Sequence, residues 1–136
     1  MGAWDTDAFG NDTACDWAYS LEGSGDLSLV ESTIDRVLAT GSDYLEAPEA
    51  EEALAAAEVI ARLQGNWGIR NVYSEPVDSW VERTQLKPSP DLARKAHAII
   101  DRILHSPSEL LELWEDSEEV EAWIQSVSDI KSRIKV

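Results

Sequence analysis

Four carboxylates at even spacing are the first candidates for chemistry. Asp43, Glu46, Glu49 and Glu52 recur every third residue, with Tyr44 among them. Glu49 and Glu52 fall on one face of a helix that begins here, because residues three apart on a helix are neighbours. Carboxylates paired in this way bind a hard cation or act as general acid and base. Acids at a helix start also complement the positive end of the helix dipole without any ligand. No Lys or His stands nearby in the sequence to complete a catalytic pair. Asp5-x-Asp7-x-Phe9-Gly10, followed by Asp16, has the spacing of half an EF-hand loop. Phe9 takes a ligand position, Asp16 stands where a bidentate Glu belongs, and no helix precedes the loop, so calcium is not expected there. His97 and His105 are two turns apart, about 12 Å along a helix axis, too far to share one metal. Cys15 lies among acids that raise a thiol pKa, and it reads as a small buried hydrophobe rather than a nucleophile. Trp67 sits in a link rich in Gly and Asn. There it is either an exposed anchor for a partner or a cover for the edge of the core.

The elements that must position these residues all read as helices. Ala14, Trp17, Ala18 and Leu21 make one face of a first helix, capped by Asn11 or Asp12 and ended by Gly23-Ser24-Gly25. Ser28-x-x-Glu31 is a capping box for a second, although Asp26 caps equally well. Val30, Ile34, Val37 and Leu38 form its stripe, and Gly41 stops it. Pro48 opens a third helix whose apolar surface is wide and rich in Ala, as expected of a central helix that neighbours approach closely. Ser74-Glu75-Pro76 starts a fourth, with Trp80 on its stripe, and Lys87-Pro88 breaks it. Ser89-Pro90-Asp91 starts a fifth. Ser106 and Glu109 are spaced as a capping box for a short sixth, which carries Trp114. Ser117 caps a seventh, with Val120, Trp123, Ile124, Val127, Ile130 and Ile134 at the 3.6 period. No stretch alternates at period two. The chain is therefore expected to be all-α, a single domain over residues 1–136 built as a bundle of six to seven short helices. Trp17, Trp80, Trp114 and Trp123 are expected in its core. Trp4 and Phe9 are expected to pack an ordered N-terminal segment on the bundle.

Charge narrows the classes of function. With 27 acids against 11 bases the net charge is −16, which argues against binding nucleic acid. Residues 1–60 hold 14 acids and one base, Arg36, and residues 107–129 hold eight acids and no base. One cysteine excludes a disulfide framework and suits a reducing cytoplasm. No apolar run reaches the roughly 20 residues a membrane span needs, and no secretory signal is visible. Met1-Gly2 with Thr6 fits a myristoylation pattern, but Asp5, Asp7, Asp12 and Asp16 beside it would be repelled by an anionic membrane.

Read whole, the opening Met1-Gly2-Ala3-Trp4, Phe9 and Asn11-Asp12-x-Ala14-x-Asp16-Trp17 resembles a bacterial family described as domain of unknown function 4259. Asp43-Tyr44-Leu45-Glu46-Ala47, the block Glu52–Ala61 and Ser108-Glu109-Leu110-x-Glu112-Leu113-Trp114 follow in the same order. Asp5 and Asp7 stand where the family pattern has glycines. The resemblance implies a small bacterial cytoplasmic protein and brings no activity, cofactor or catalytic residue. The expected function is that of a non-enzymatic interaction module whose acidic faces meet a basic protein. The alternative is a small-molecule or cation-binding protein that uses the acidic cluster around residues 43–52. The candidate site is Asp43, Tyr44, Glu46, Glu49, Glu52 and Trp67. No catalytic residue, metal or cofactor is assigned, and the residues do not give the oligomeric state.

Overall fold

The computed structural model describes residues 5–136. Trp4 and the Met1-Gly2 pattern lie outside the described residues. Seven helices run in order among those described: α1 (Asp12–Glu22), α2 (Ser28–Thr40), α3 (Ala47–Leu63), α4 (Glu75–Thr84), α5 (Pro90–Ile103), α6 (Glu109–Glu115) and α7 (Val120–Arg133). The one pairing of extended backbone among them is an isolated parallel bridge between Leu45 and Ser108. The fold is all-α, and no described helix is long and apolar enough to cross a membrane.

α3 is the axis, and the other six helices all touch it. Its alanines explain this. Ala50, Ala53, Ala55, Ala56, Ala57 and Ala61 are buried on every side, and their short side chains let neighbouring backbones come close. Leu54, Val59 and Ile60 fill the spaces between them. The four helix-borne tryptophans are core residues as expected, with Trp80 fully enclosed and its indole N–H given to the Ser24 carbonyl at 2.8 Å. Phe9 is buried too, which seats the described part of the N-terminal segment on the bundle. Leu38 and Ile124, at the margins of their stripes, remain partly open to solvent.

The helix starts hold the main departures from the sequence pattern. Asn11 and Ser89 cap as expected, accepting from Ala14 N–H and Leu92 N–H. Asp26, not a Ser28–Glu31 box, closes the start of α2, taking both the Ser28 N–H and its hydroxyl. Ser108 rather than Ser106 precedes α6, and Ser106-Pro107 is a cis peptide. Glu109 does not fold back on its own helix. Its Oε1 accepts from Ala47 N–H at 2.7 Å and so satisfies a free donor at the start of α3. Glu119, not Ser117, precedes α7, while the Ser117 hydroxyl closes the end of α6 on the Trp114 carbonyl. In the Ser106 case two serines compete over two residues, and the tertiary contact of Leu45 with Pro107 and Glu109 selects between them.

Candidate functional site

The predicted acidic group does not converge. Glu52 turns towards α2 and pairs with Arg36 at 3.1 Å. Tyr44 turns the other way, towards α6, where a hydrogen bond with Glu112 pushes its pKa up to about 12. Asp43 is exposed and contributes its backbone carbonyl to Arg102. Glu46 is exposed just ahead of α3, and Glu49 is half-buried in its first turn. Among the described residues no three His, Cys, Asp or Glu side chains gather as a metal site. Asp5 and Asp7 instead satisfy local backbone donors, from Thr6 and Phe9. His97 and His105 each bond a backbone carbonyl, of Ile134 and Asp101. Cys15 is half-buried with its thiol on the Phe9 carbonyl, and burial together with Asp12, Asp16 and Asp7 raises its pKa.

Trp67 takes the second of its two expected settings, at the edge of the core. It is half-buried against the core, with the Arg62 guanidinium 5.5 Å from its ring and that of Arg70 at 4.3 Å. Arg62 belongs to a buried ion network. Its Nη1 reaches Asp78 Oδ1 at 2.6 Å and its Nη2 donates to the Ile69 carbonyl at 2.7 Å. Nε lies 3.2 Å from Glu58 Oε1 without the alignment of a hydrogen bond. Glu58 takes a two-pronged contact from Arg133, at 2.7 and 2.8 Å. Arg133 also binds Asp129 and the Asn66 carbonyl. Ser74 donates to the other oxygen of Asp78 at 2.7 Å. Glu58, Arg62 and Asp78 are each at most 4% exposed. Together they fasten α3, the link 65–73, α4 and α7 at one point. The backbone at Gly68 passes so close that a Cβ there would meet Glu58 Oε1 at 2.7 Å and Arg133 Nη2 at 2.9 Å.

The sequence held a signal for this network. Glu58 and Arg62 are one turn apart inside a stretch of α3, residues 53–63, that is otherwise apolar, and buried charges must pair. Their partners, 16 and 75 residues away, carried no local mark.

A narrow cleft beside the network is lined by Asp7, Glu51, Leu54, Trp114 and Trp123. Burial is the largest cause raising the pKa of both Asp7 and Glu51. Neither acts on the other: Asp7 feels Asp5 and Glu58, whereas Glu51 feels Glu109 and Asp12. Each carboxyl is thus raised by its own surroundings. A consequence follows for stability. A carboxyl whose folded pKa is raised binds its proton more tightly in the folded chain, so stability falls as pH rises through that pKa. Asp7→Asn keeps an oxygen for Phe9 N–H and removes the charge. The variant is expected to melt above the parent at pH 7, with the two curves converging by pH 3, below the ordinary aspartate value of 3.8. Thermal unfolding at pH 3, 5 and 7 checks this. An equal gap at every pH would sink the assignment.

The acids of the last quarter are the third element of the surface. Glu112, Glu115, Asp116, Glu118, Glu119 and Glu121 are exposed on α6, α7 and the turn between them. Among the described residues none of them meets a cation, although ion pairs occupy seven of the chain's basic residues elsewhere.

The family model described as Domain of unknown function (DUF4259) matches residues 2–126. The chain belongs to this family. The DUF4259 match covers the N-terminal segment, the first six helices and the start of α7, including Glu58, Arg62 and Asp78 but not Asp129 or Arg133. No curated protein and no solved structure matches the chain.

Proposed function

We propose that this DUF4259 member is a non-enzymatic interaction module of the cytoplasm whose acidic surface docks on a basic protein. The observation that supports it is the unpaired run from Glu112 to Glu121. Like charges packed on one surface repel, and a chain with a net charge of −16 already bears that cost. A basic partner would relieve the repulsion and would be steered to the surface from a distance. Tyr44, half exposed and bonded to Glu112, adds an aromatic contact at the edge of the run.

The test uses the full chain as bait in lysate, at low salt and at about 0.5 M salt, where exposed charges are heavily screened. A second bait carries Gln in place of Glu112, Glu115, Glu118, Glu119 and Glu121. Glu109 is left intact because it caps α3. The expected result is a basic protein held by the parent at low salt, released at high salt and lost with the substituted bait. Capture that ignores both salt and the five glutamates would overturn the reading.

A further inference from the structure

We propose that a groove between the ends of α3 and α4 and the segment after α7 binds a small organic anion, whose carboxylate or phosphate meets Lys87 and Lys135 while its apolar body lies on Leu63 and Trp67. The groove is separate from the acidic run on α6 and α7, and it stands whether or not that run docks a partner.

Two hollows make the groove, of about 440 and 370 Å³, and they share Leu63 and Lys87. These volumes are in the range of small-ligand sites, which are apolar with a few placed polar groups. Trp67 and Val81 complete the apolar floor of the first hollow, and Pro88 that of the second. Leu63 and Trp67 are only partly covered by the core they pack on, so an apolar body laid over them takes both further out of water.

The backbone on each side is set to present the lysines. Gln85, which lines the first hollow, has φ 48° and is the one residue other than glycine with positive φ among those described. That conformation disfavours a residue with a Cβ, and here it ends α4 and turns the chain so that Lys87 lies beside Leu63. Across the groove Gln64 clamps residue 135, accepting from its N–H at 2.8 Å and donating to its carbonyl at 2.7 Å.

Charge sets the class of ligand. Of the 11 bases, seven pair with carboxylates. Arg83 and Arg102 give their donors to backbone carbonyls. Lys87 and Lys135 remain, and both line the second hollow. Among the described residues neither meets a carboxylate, and Lys135 gives one ammonium hydrogen to the Ser132 carbonyl. Glu82 is the one carboxylate lining either hollow, and Arg70 holds it at 2.7 Å. In a chain of 27 acids, the two ammonium groups left without a counterion thus share one apolar groove. Fields of exposed charges fade within about 8 Å at physiological salt, so a small anion seated there feels these two lysines. A nucleic acid or a second copy of this chain would extend over the rest of a surface with net charge −16, which repels it.

The probes are naphthyl phosphate and naphthoate, titrated into the full chain and followed by amide NMR shifts. Both are expected to move the amides of residues 63–67 and 85–87, and the tighter of the two names the head group. Kd should rise about ten-fold or more with Lys87→Gln plus Lys135→Gln, through loss of charge-assisted hydrogen bonds. Both lysines are exposed, and unchanged thermal unfolding confirms that the variant is folded. Lys95→Gln plus Lys131→Gln removes as much charge away from the groove and should leave binding as it was. Naphthol, naphthylmethylamine and inorganic phosphate, each lacking one half of the recognition, should bind about ten-fold more weakly or worse. An equal loss in the two double variants would reduce the effect to net charge and overturn the site. Naphthol or the amine binding as tightly as the anions would overturn its charge. Shifts centred elsewhere, or none at millimolar probe, would overturn it outright.

Discussion

Arg62→Met is expected to destabilise the fold by about 3–5 kcal/mol, the cost of leaving a buried ion without its partner. The substitution keeps most of the apolar stem and removes the guanidinium. Asp78 would then face Ser74 and, at 3.5 Å, the half-exposed Arg70 alone. The Ile69 carbonyl would lose its donor. Against a total stability of about 5–15 kcal/mol for a domain, this is a large fraction, and the melting temperature should fall by on the order of 10–20 °C. The double variant Arg62→Met with Asp78→Leu separates the charge from the packing. It removes both ions of one pair and leaves Glu58 with its two-pronged contact to Arg133. Most of the lost stability should return, because replacing both ions of a buried pair by apolar groups is often close to neutral. Urea unfolding followed by both fluorescence and circular dichroism measures the pair. A loss below about 1 kcal/mol in the single variant, the size of a surface pair, would show that the network is solvated and not buried.

The same variant reads the link. With Arg62 gone, the link 65–73 keeps its Asn71 and Ser74 turn but loses its anchor on α3. Amide exchange at Ile69–Tyr73 should then quicken more than exchange in α5, which the network does not touch. The core and the link 65–73 are in this way joined by one guanidinium.

What could be read in the sequence was set by the range of the interaction. The periodic stripes pointed to six to seven helices, and seven form, because each is decided within a few residues by burial on one face. Pro90 and Ser89 placed the start of α5 for the same reason. The start of α6 was misplaced by two residues, since Ser106 and Ser108 offer equal local chemistry and only the pairing of Leu45 with the 107–109 backbone decides between them. Glu109 looked like half of a local capping box and instead caps a helix 62 residues earlier. The acidic residues 43–52 suggested a cluster by their spacing. In the fold they fan out, Glu52 to Arg36 and Tyr44 to Glu112, because residues that straddle a helix start point in different directions. Trp67 was undecided because its surroundings are two arginines, one from α3 and one from its own link. Glu58 and Arg62 could have been singled out, since two charges in the otherwise apolar stretch 53–63 have to find partners. Which partners they find depends on how four segments pack.

Trp114→Ala is the second large loss, and it bears on the acidic surface directly. Trp114 and Trp123 lie nearly parallel with ring centroids 5.9 Å apart, and both are buried. They join α6 to α7 and, beside Leu54, Leu110 and Val127, fix both against α3. α6 has only seven residues, too few to hold a helix in water by its own hydrogen bonds. Its attachment depends on Leu110 and Trp114. Truncating the indole removes the buried area and the stacked contact and leaves a cavity, at about 3–5 kcal/mol. Trp114→Phe should lose less, because a ring remains to face Trp123. Local opening should exceed global unfolding in the Ala variant, with amides of residues 109–119 exchanging faster than those of α3. Glu112 would then swing free of Tyr44, and the Tyr44 phenol should ionise closer to its ordinary value near 10 in an alkaline absorbance titration. If exchange at α3 rises as much as at α6, the two tryptophans support the whole core and not an attached acidic face. Retained affinity for a basic partner under those conditions would place the docking surface away from α6.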